Sequence, residues 1–146
     1  MRYWWVNQNQ TYRQEIQGGY LWSPKRNAIG ARNPFYESMR EVSPADLVFS
    51  FVDTRIAAIG IARSYCWESP KPQEFGSAGQ CWENVGWKVR VRFTPLTNKI
   101  RPKDHVAALG PGALLAAAGK WKRHPVRLSD RATVRLRRSP RRIDWR

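Results

Sequence analysis

The sequence predicts a small α+β domain built on one mixed, curled β-sheet. Three observations carry that reading. Short apolar runs at 3–6, 47–52, 56–62 and 87–93 have the length and the aromatic or β-branched content of strands. A single stretch, "NPFYESMREV" (33–42), carries a helix pattern. The resulting order of strand, loop, helix, strand, strand, loop, strand is that of an α+β domain with flanking helical pieces. At 146 residues the chain suits one domain with a modest core, here ending near residue 97.

Tyr3-Trp4-Trp5-Val6 reads as a strand buried on both faces and ended by "NQNQ", which leaves Asn7, Gln8 and Asn9 at its tip. Residues 9–32 are polar and aperiodic, so they read as loop with at most one short helix. Within them lies "GGYLWSPKRNA" (18–28), where Trp22 reads as sitting on a turn beside Lys25 and Arg26. Asn33 is a good N-cap and Pro34 suits the first helical position. Phe35, Met39 and Val42 fall on one helical face, and Ser43-Pro44 ends the helix.

Leu47 to Val52 is apolar except at Ser50, which predicts a central strand. Asp53-Thr54-Arg55 is the turn into a second buried strand, Ile56 to Ala62, where Gly60 marks a bulge or a close backbone approach. Ser69 to Gln80 is a Pro/Gly/Ser loop. "VGWKVRVRF" then alternates, with Trp87, Val89, Val91 and Phe93 on one face and Lys88, Arg90 and Arg92 on the other. Trp4, Trp5 and Trp87 are expected in the core.

The net charge of +15 and pI near 10.9 favour a polyanionic partner, nucleic acid ahead of an acidic membrane. Residues 1–98 hold 12 Lys/Arg against 8 Asp/Glu, and residues 99–146 hold 14 against 3. The strong basicity therefore belongs to the C-terminal third, whose "RLRRSPRRIDWR" has little core material and reads as an irregular, low-order basic tail. Cys66 and Cys81 fit free thiols in a reducing compartment. The apolar run in "MRYWWVNQNQ" is too short for a signal peptide, and "HVAALGPGALLAAAG" is broken by Gly and Pro before it could span a bilayer. A cytoplasmic, soluble protein is expected.

Catalytic patterns are missing. There is no Gly-rich phosphate loop, no HExxH and no paired CxxC, and His105 and His124 both lie in the basic third. No catalytic residue, metal or cofactor is expected, and Asp46 and Asp53 suit turn and capping roles. The positive signal is aromatics beside cations. Trp22 adjoins Lys25 and Arg26, while Trp67, Phe75 and Trp82 surround "ESPKPQEFGSAGQCWEN". Stacking a base on such rings contributes ~1–3 kcal/mol. An extruded base can also be read on its polar edge by Asn or Gln, and Asn7 and Gln8 are placed for that. Taken alone, a loop tryptophan is more often a plug over the core than a ligand platform, and Lys88, Arg90 and Arg92 are more often a solvated strand face than a phosphate track.

Three blocks in order, "RYWWVNQNQTYRQE", "GGYLWSPKRNAIGARNPFYESMREVSPADLVFSF" and "IAAIGIARSYCWESPKP…WENVGWKVRVRFTPL", resemble the EVE domain of the PUA-like superfamily, a relative of the YTH modification readers. The likeness covers about residues 2–105 and is closest to the amino-terminal domain of bacterial proteins that join EVE to an HNH nuclease. It implies an open-barrel sheet curled around a pocket for one modified base. Trp22 matches the first aromatic wall, Asn7 and Gln8 the strand-end residues facing the base edge, and Ser23 a backbone contact. Trp82 is the preferred second wall, with Trp67 and Phe75 as alternatives. Lys25, Arg26, Arg32, Lys88, Arg90 and Arg92 are the candidates for backbone phosphates.

The implied chain is an EVE-like modified-base-binding domain at 1–105 followed by a basic tail at 106–146. That tail departs from the family and has the Ala, Gly, Pro, Arg composition of an out-of-frame reading of a GC-rich gene. The implied function is a DNA-binding reader of a methylated or hydroxymethylated base, the sensor part of a modification-dependent restriction endonuclease. No HNH motif is present, so the chain itself is not expected to be an enzyme, and its partners would be modified DNA and a separate nuclease domain or subunit. A PUA-type RNA-binding protein and a truncated relative without function are the alternative readings.

Overall fold

The computed structural model describes residues 1–26 and 29–105. The expected basic tail at 106–146 lies outside the described residues. Within them, β1 (Tyr3–Asn7) is followed by helix α1 (Tyr12–Gly18), β2 (Tyr20–Pro24), a one-turn α2 (Pro34–Glu37), β3 (Leu47–Val52), β4 (Arg55–Ala62), β5 (Trp67–Pro70) and β6 (Val85–Ile100). Short 3-10 turns occupy Ser38–Glu41, Gln73–Phe75 and Pro102–His105.

The strands form one curled sheet in the order β1-β3-β4-β6-β2, with β5 also paired to β6. β1 runs parallel to β3, and the other pairs are antiparallel. A parallel neighbour requires a crossover, which α1, β2 and α2 supply. The curl follows from β6. Its 16 residues pair with β4 through the C-terminal part and with β2 and β5 through the N-terminal part. Register shifts at Ser50/Phe51 and Ile56/Ala58 add local twist. The mixed, curled open half-barrel expected from the sequence is the observed fold.

The concave face holds the main core. Leu21, Met39, Val42, Val48, Ala62, Val89 and Val91 are buried there, with Trp4 and Trp87 packed against them. The alternation read in β6 holds, since Val89 and Val91 are buried while Arg90 and Arg92 are exposed. Trp5 packs in a separate cluster with Phe51 and Ile56. Gly60 marks a close approach and not a bulge: a Cβ there would stand 2.4 Å from Val91 Cγ1 and 2.8 Å from the Phe93 ring. Asp46 takes the expected capping role, accepting the Arg2 and Ser43 backbone N–H groups at 2.7 and 3.0 Å and the Trp4 indole N–H at 2.9 Å. Both cysteines are free thiols.

Two expectations change. The helix over 33–42 is one α turn followed by a 3-10 turn. Met39 within the 3-10 turn and Val42, its C-cap in extended backbone, both reach the core as expected. The side chain of Phe35 lies outside what the structure describes. Trp22 is not on a turn. "YLWSP" is a strand because it pairs residue for residue with β6, Trp22 opposite Lys88 and Pro24 opposite Gly86.

Candidate functional site

The two ends of the sheet path, β1 and β2, are edge strands, and the curl brings them toward each other across an open seam. A cavity of about 780 Å³ lies on this seam. It is lined by β1 and the residues after it, by Leu21 to Pro24 of β2, by Tyr36 and Met39 of the helical segment, and by Trp82.

Its aromatic wall is built on β2. Trp22 is buried, with its indole N–H donating to the Ser69 carbonyl at 3.3 Å. The Trp82 ring lies 6.1 Å from the Trp22 ring at an interplanar angle of 31°. Phe75 braces both edge-on, 5.7 Å from Trp22 and 6.3 Å from Trp82. Two glycines admit these rings. A Cβ on Gly86 would meet the Trp22 ring at 2.5 Å, and one on Gly79 would meet the Trp82 ring at 2.0 Å. A planar base held between two rings needs about 7 Å, twice the ~3.5 Å carbon contact distance. At 6.1 Å and 31° the Trp22 and Trp82 rings stand closer than that spacing.

The polar side of the cavity centres on Glu15 of α1. Its carboxylate bridges the two edges. One oxygen accepts the Trp22 backbone N–H at 2.7 Å, and the other accepts the Gln8 side-chain amide at 2.6 Å and the Thr11 hydroxyl at 3.0 Å. The Ser50 hydroxyl completes the network by donating to the Gln8 carbonyl oxygen. Gln8 is therefore buried and fixed in orientation, with one amide hydrogen left to offer. Burial of Glu15 pushes its carboxyl from the ordinary 4.5 up to about 7, against the three hydrogen bonds that favour the charged form. Asn7 is exposed at the rim, where its Oδ1 accepts the Asn9 N–H at 3.2 Å. Two buried polar atoms of cavity-lining residues have no protein partner, the Trp5 indole N–H and the Ser23 hydroxyl. Such atoms are costly unless a ligand or water satisfies them.

The structure thus brings Asn7, Gln8, Trp22, Ser23 and Trp82 to one cavity. Phe75 stands behind the wall. Trp67 lies on β5, 37% exposed and away from the cavity. None of the six candidate phosphate-binding cations lines the cavity either. Lys25 pairs with Glu68 and sits 4.5 Å above the Trp87 ring, and Arg26 pairs with Glu83 at 3.7 Å. Arg32 forms a bridge with Arg26 just before the lining residue Asn33. Lys88 caps the Tyr20 ring at 4.1 Å, and Arg90 and Arg92 are exposed on β6. Sequence reasoning missed Glu15 and the unpaired Trp5 N–H. Among the described residues no group of His, Cys, Asp and Glu could hold a metal ion, and no helix is long and apolar enough to cross a membrane.

No protein-family model matches the chain, and no curated protein matches it. Solved structures do. The Pho92 YTH domain, determined in complex with m6A, superposes with a TM-score of 0.56 at 12% identity over 98% of this chain and 85% of that one. Rpa0253 from Rhodopseudomonas palustris superposes with a TM-score of 0.52 at 17% identity over 86% of this chain and 84% of that one. At these identities the shared property is the curled half-barrel fold.

Proposed function

We propose that this chain is an EVE-like reader of a modified nucleobase, held at the seam between Trp22 and Trp82. The observation that carries the reading is the braced tryptophan pair beside a largely apolar cavity lined by Ser23 and Trp5, whose hydroxyl and indole N–H lack protein partners. The fold it shares with a domain solved around m6A supports the same chemistry. Stacking and desolvation supply the affinity, Gln8 and the unpaired donors read the base edge, and the added methyl or hydroxymethyl group fills the remaining apolar space. The proposal extends to DNA as the ligand and to a role as sensor for a nuclease encoded elsewhere. The chain itself binds without cutting.

One apolar methyl is worth about 1–3 kcal/mol in a fitted pocket, so a preference on the order of tenfold or more for modified over unmodified oligonucleotides is expected. Titration of matched pairs measures it, and equal affinities would remove the modification claim. Running DNA and RNA of one sequence side by side assigns the nucleic acid. Trp22→Ala should erase the preference. A preference that survives in this variant takes Trp22 out of the pocket. Incubating the chain with DNA and a divalent metal should yield no cleavage products.

A further inference from the structure

A second aromatic surface lies outside the cavity. Tyr65 and Trp67 are two of the few large apolar side chains exposed among the described residues, at 70% and 37%. Arg63, Ser64 and Arg90 surround Trp67 in a shallow depression of about 290 Å³. The backbone holds this cluster together. The Arg63 N–H donates to the Arg90 carbonyl at 2.8 Å, and the Ser64 hydroxyl accepts the Arg90 N–H at 2.9 Å. The Arg90 guanidinium stands 6.0 Å from the Trp67 ring centroid, at the outer limit of a cation–π contact, which leaves the ring partly open. Unlike Lys25 and Arg26, neither Arg63 nor Arg90 has a carboxylate partner among the described residues.

The register ties this surface to the pocket. Trp67 pairs with Lys88, and Lys88 pairs with Trp22. The three side chains form one row across β5, β6 and β2, so Trp67 and Trp22 are two strand spacings apart, about 10 Å. Between them Lys88 lies on the Tyr20 ring. Aromatic and cationic groups therefore alternate from the pocket wall to the exposed Trp67.

We infer that Tyr65, Trp67, Arg63 and Arg90 form a second nucleotide-binding platform for the single-stranded segment flanking the base held in the pocket. Unpaired bases have open faces for stacking on Trp67 and Tyr65, and the two arginines meet the phosphates between them. The inference rests on the pocket reading for its direction, because it takes the flanking nucleotides to continue from an inserted base. It also explains why an aromatic outside the main cavity remains exposed beside two cations that have no carboxylate partner among the described residues.

The test uses the full-length chain and two probes carrying the same modified base, a nine-nucleotide single strand and the modified mononucleoside. Trp67→Ala should weaken nonamer binding by about tenfold, the scale of one stacked base, and leave mononucleoside binding unchanged. Trp67→Phe should recover most of the loss, and Arg90→Ala should lower the salt dependence of nonamer binding. Trp22→Ala should weaken both probes. Unchanged nonamer affinity in Trp67→Ala, with Trp22→Ala still impaired, overturns the platform and leaves the pocket standing. Loss of nonamer binding in Trp67→Ala with both probes bound undiminished by Trp22→Ala overturns the pocket reading and leaves the platform standing. Equal loss of both probes in Trp67→Ala means a general structural role and also overturns the platform.

Discussion

Glu15 is the residue on which the two edges of the sheet depend. It is 2% exposed, lies on a helix with no neighbouring cation bonded to it, and spends both oxygens on the seam. In the unfolded chain its carboxyl titrates near 4.5, and in the folded chain near 7. Between those values the folded state keeps a proton that the unfolded state has lost. Its contribution to stability is therefore full below about 4.5, falls as pH rises, and levels off above about 7. Glu15→Gln removes this titration. Urea midpoints measured from pH 5 to 8 should decline for the native chain and stay flatter for the variant. Parallel declines would assign the pH dependence to another group. The same variant should disturb Gln8, whose amide loses its charged acceptor.

At the scale of elements, β6 was legible and β2 was not. Four inward apolar positions alternating with Lys88, Arg90 and Arg92 suffice to mark a strand from local pattern alone. "YLWSP" has only five residues, preceded by two glycines and ended by proline. Its strand identity comes from pairing with residues 86–90, about 65 positions away, which no local window reports. The same non-local cause hid Glu15. In sequence it is one acid in a polar helix, and only closure of the seam buries it. Trp22, Asn7, Gln8 and Trp82 were readable because aromatic and amide side chains stand out by type. The convergence of these four on one cavity needed the curl.

Gly86 tests how β2 and β6 set that convergence. A Cβ there would lie 2.2 Å from the Ser23 carbonyl oxygen and 2.5 Å from the Trp22 ring, and the carbonyl belongs to backbone that cannot swing aside. Gly86→Ala should therefore destabilise the fold by roughly 1–3 kcal/mol, as overpacking does. Urea unfolding measures the loss, and near-ultraviolet circular dichroism should report altered coupling between Trp22 and Trp82. An unchanged midpoint would show that β2 shifts freely and that the wall is not held by this contact.

At the scale of the whole molecule, charge and recognition are separate layers. The net charge of +15 is concentrated beyond residue 98, whereas the cavity is lined mainly by aromatic, aliphatic, amide and hydroxyl groups, with Arg2 its one lining cation among the described residues and none of the six candidate phosphate-binding cations. Phosphate contacts release counterions, so affinity for any oligonucleotide should fall linearly with log salt concentration. A methyl group seated between indole rings releases no counterion, and its contribution does not change with ionic strength. Modified and unmodified oligonucleotides should then give parallel lines from 50 to 300 mM salt, displaced by a constant factor on the order of ten. Anisotropy titrations across that range measure both slope and displacement. Converging lines would mean that the preference is carried by charge, and the apolar pocket would lose its role as the discriminating element. Parallel lines that collapse onto one another in Trp22→Ala, with an unchanged slope, would place discrimination in the seam and non-specific affinity in the basic surface.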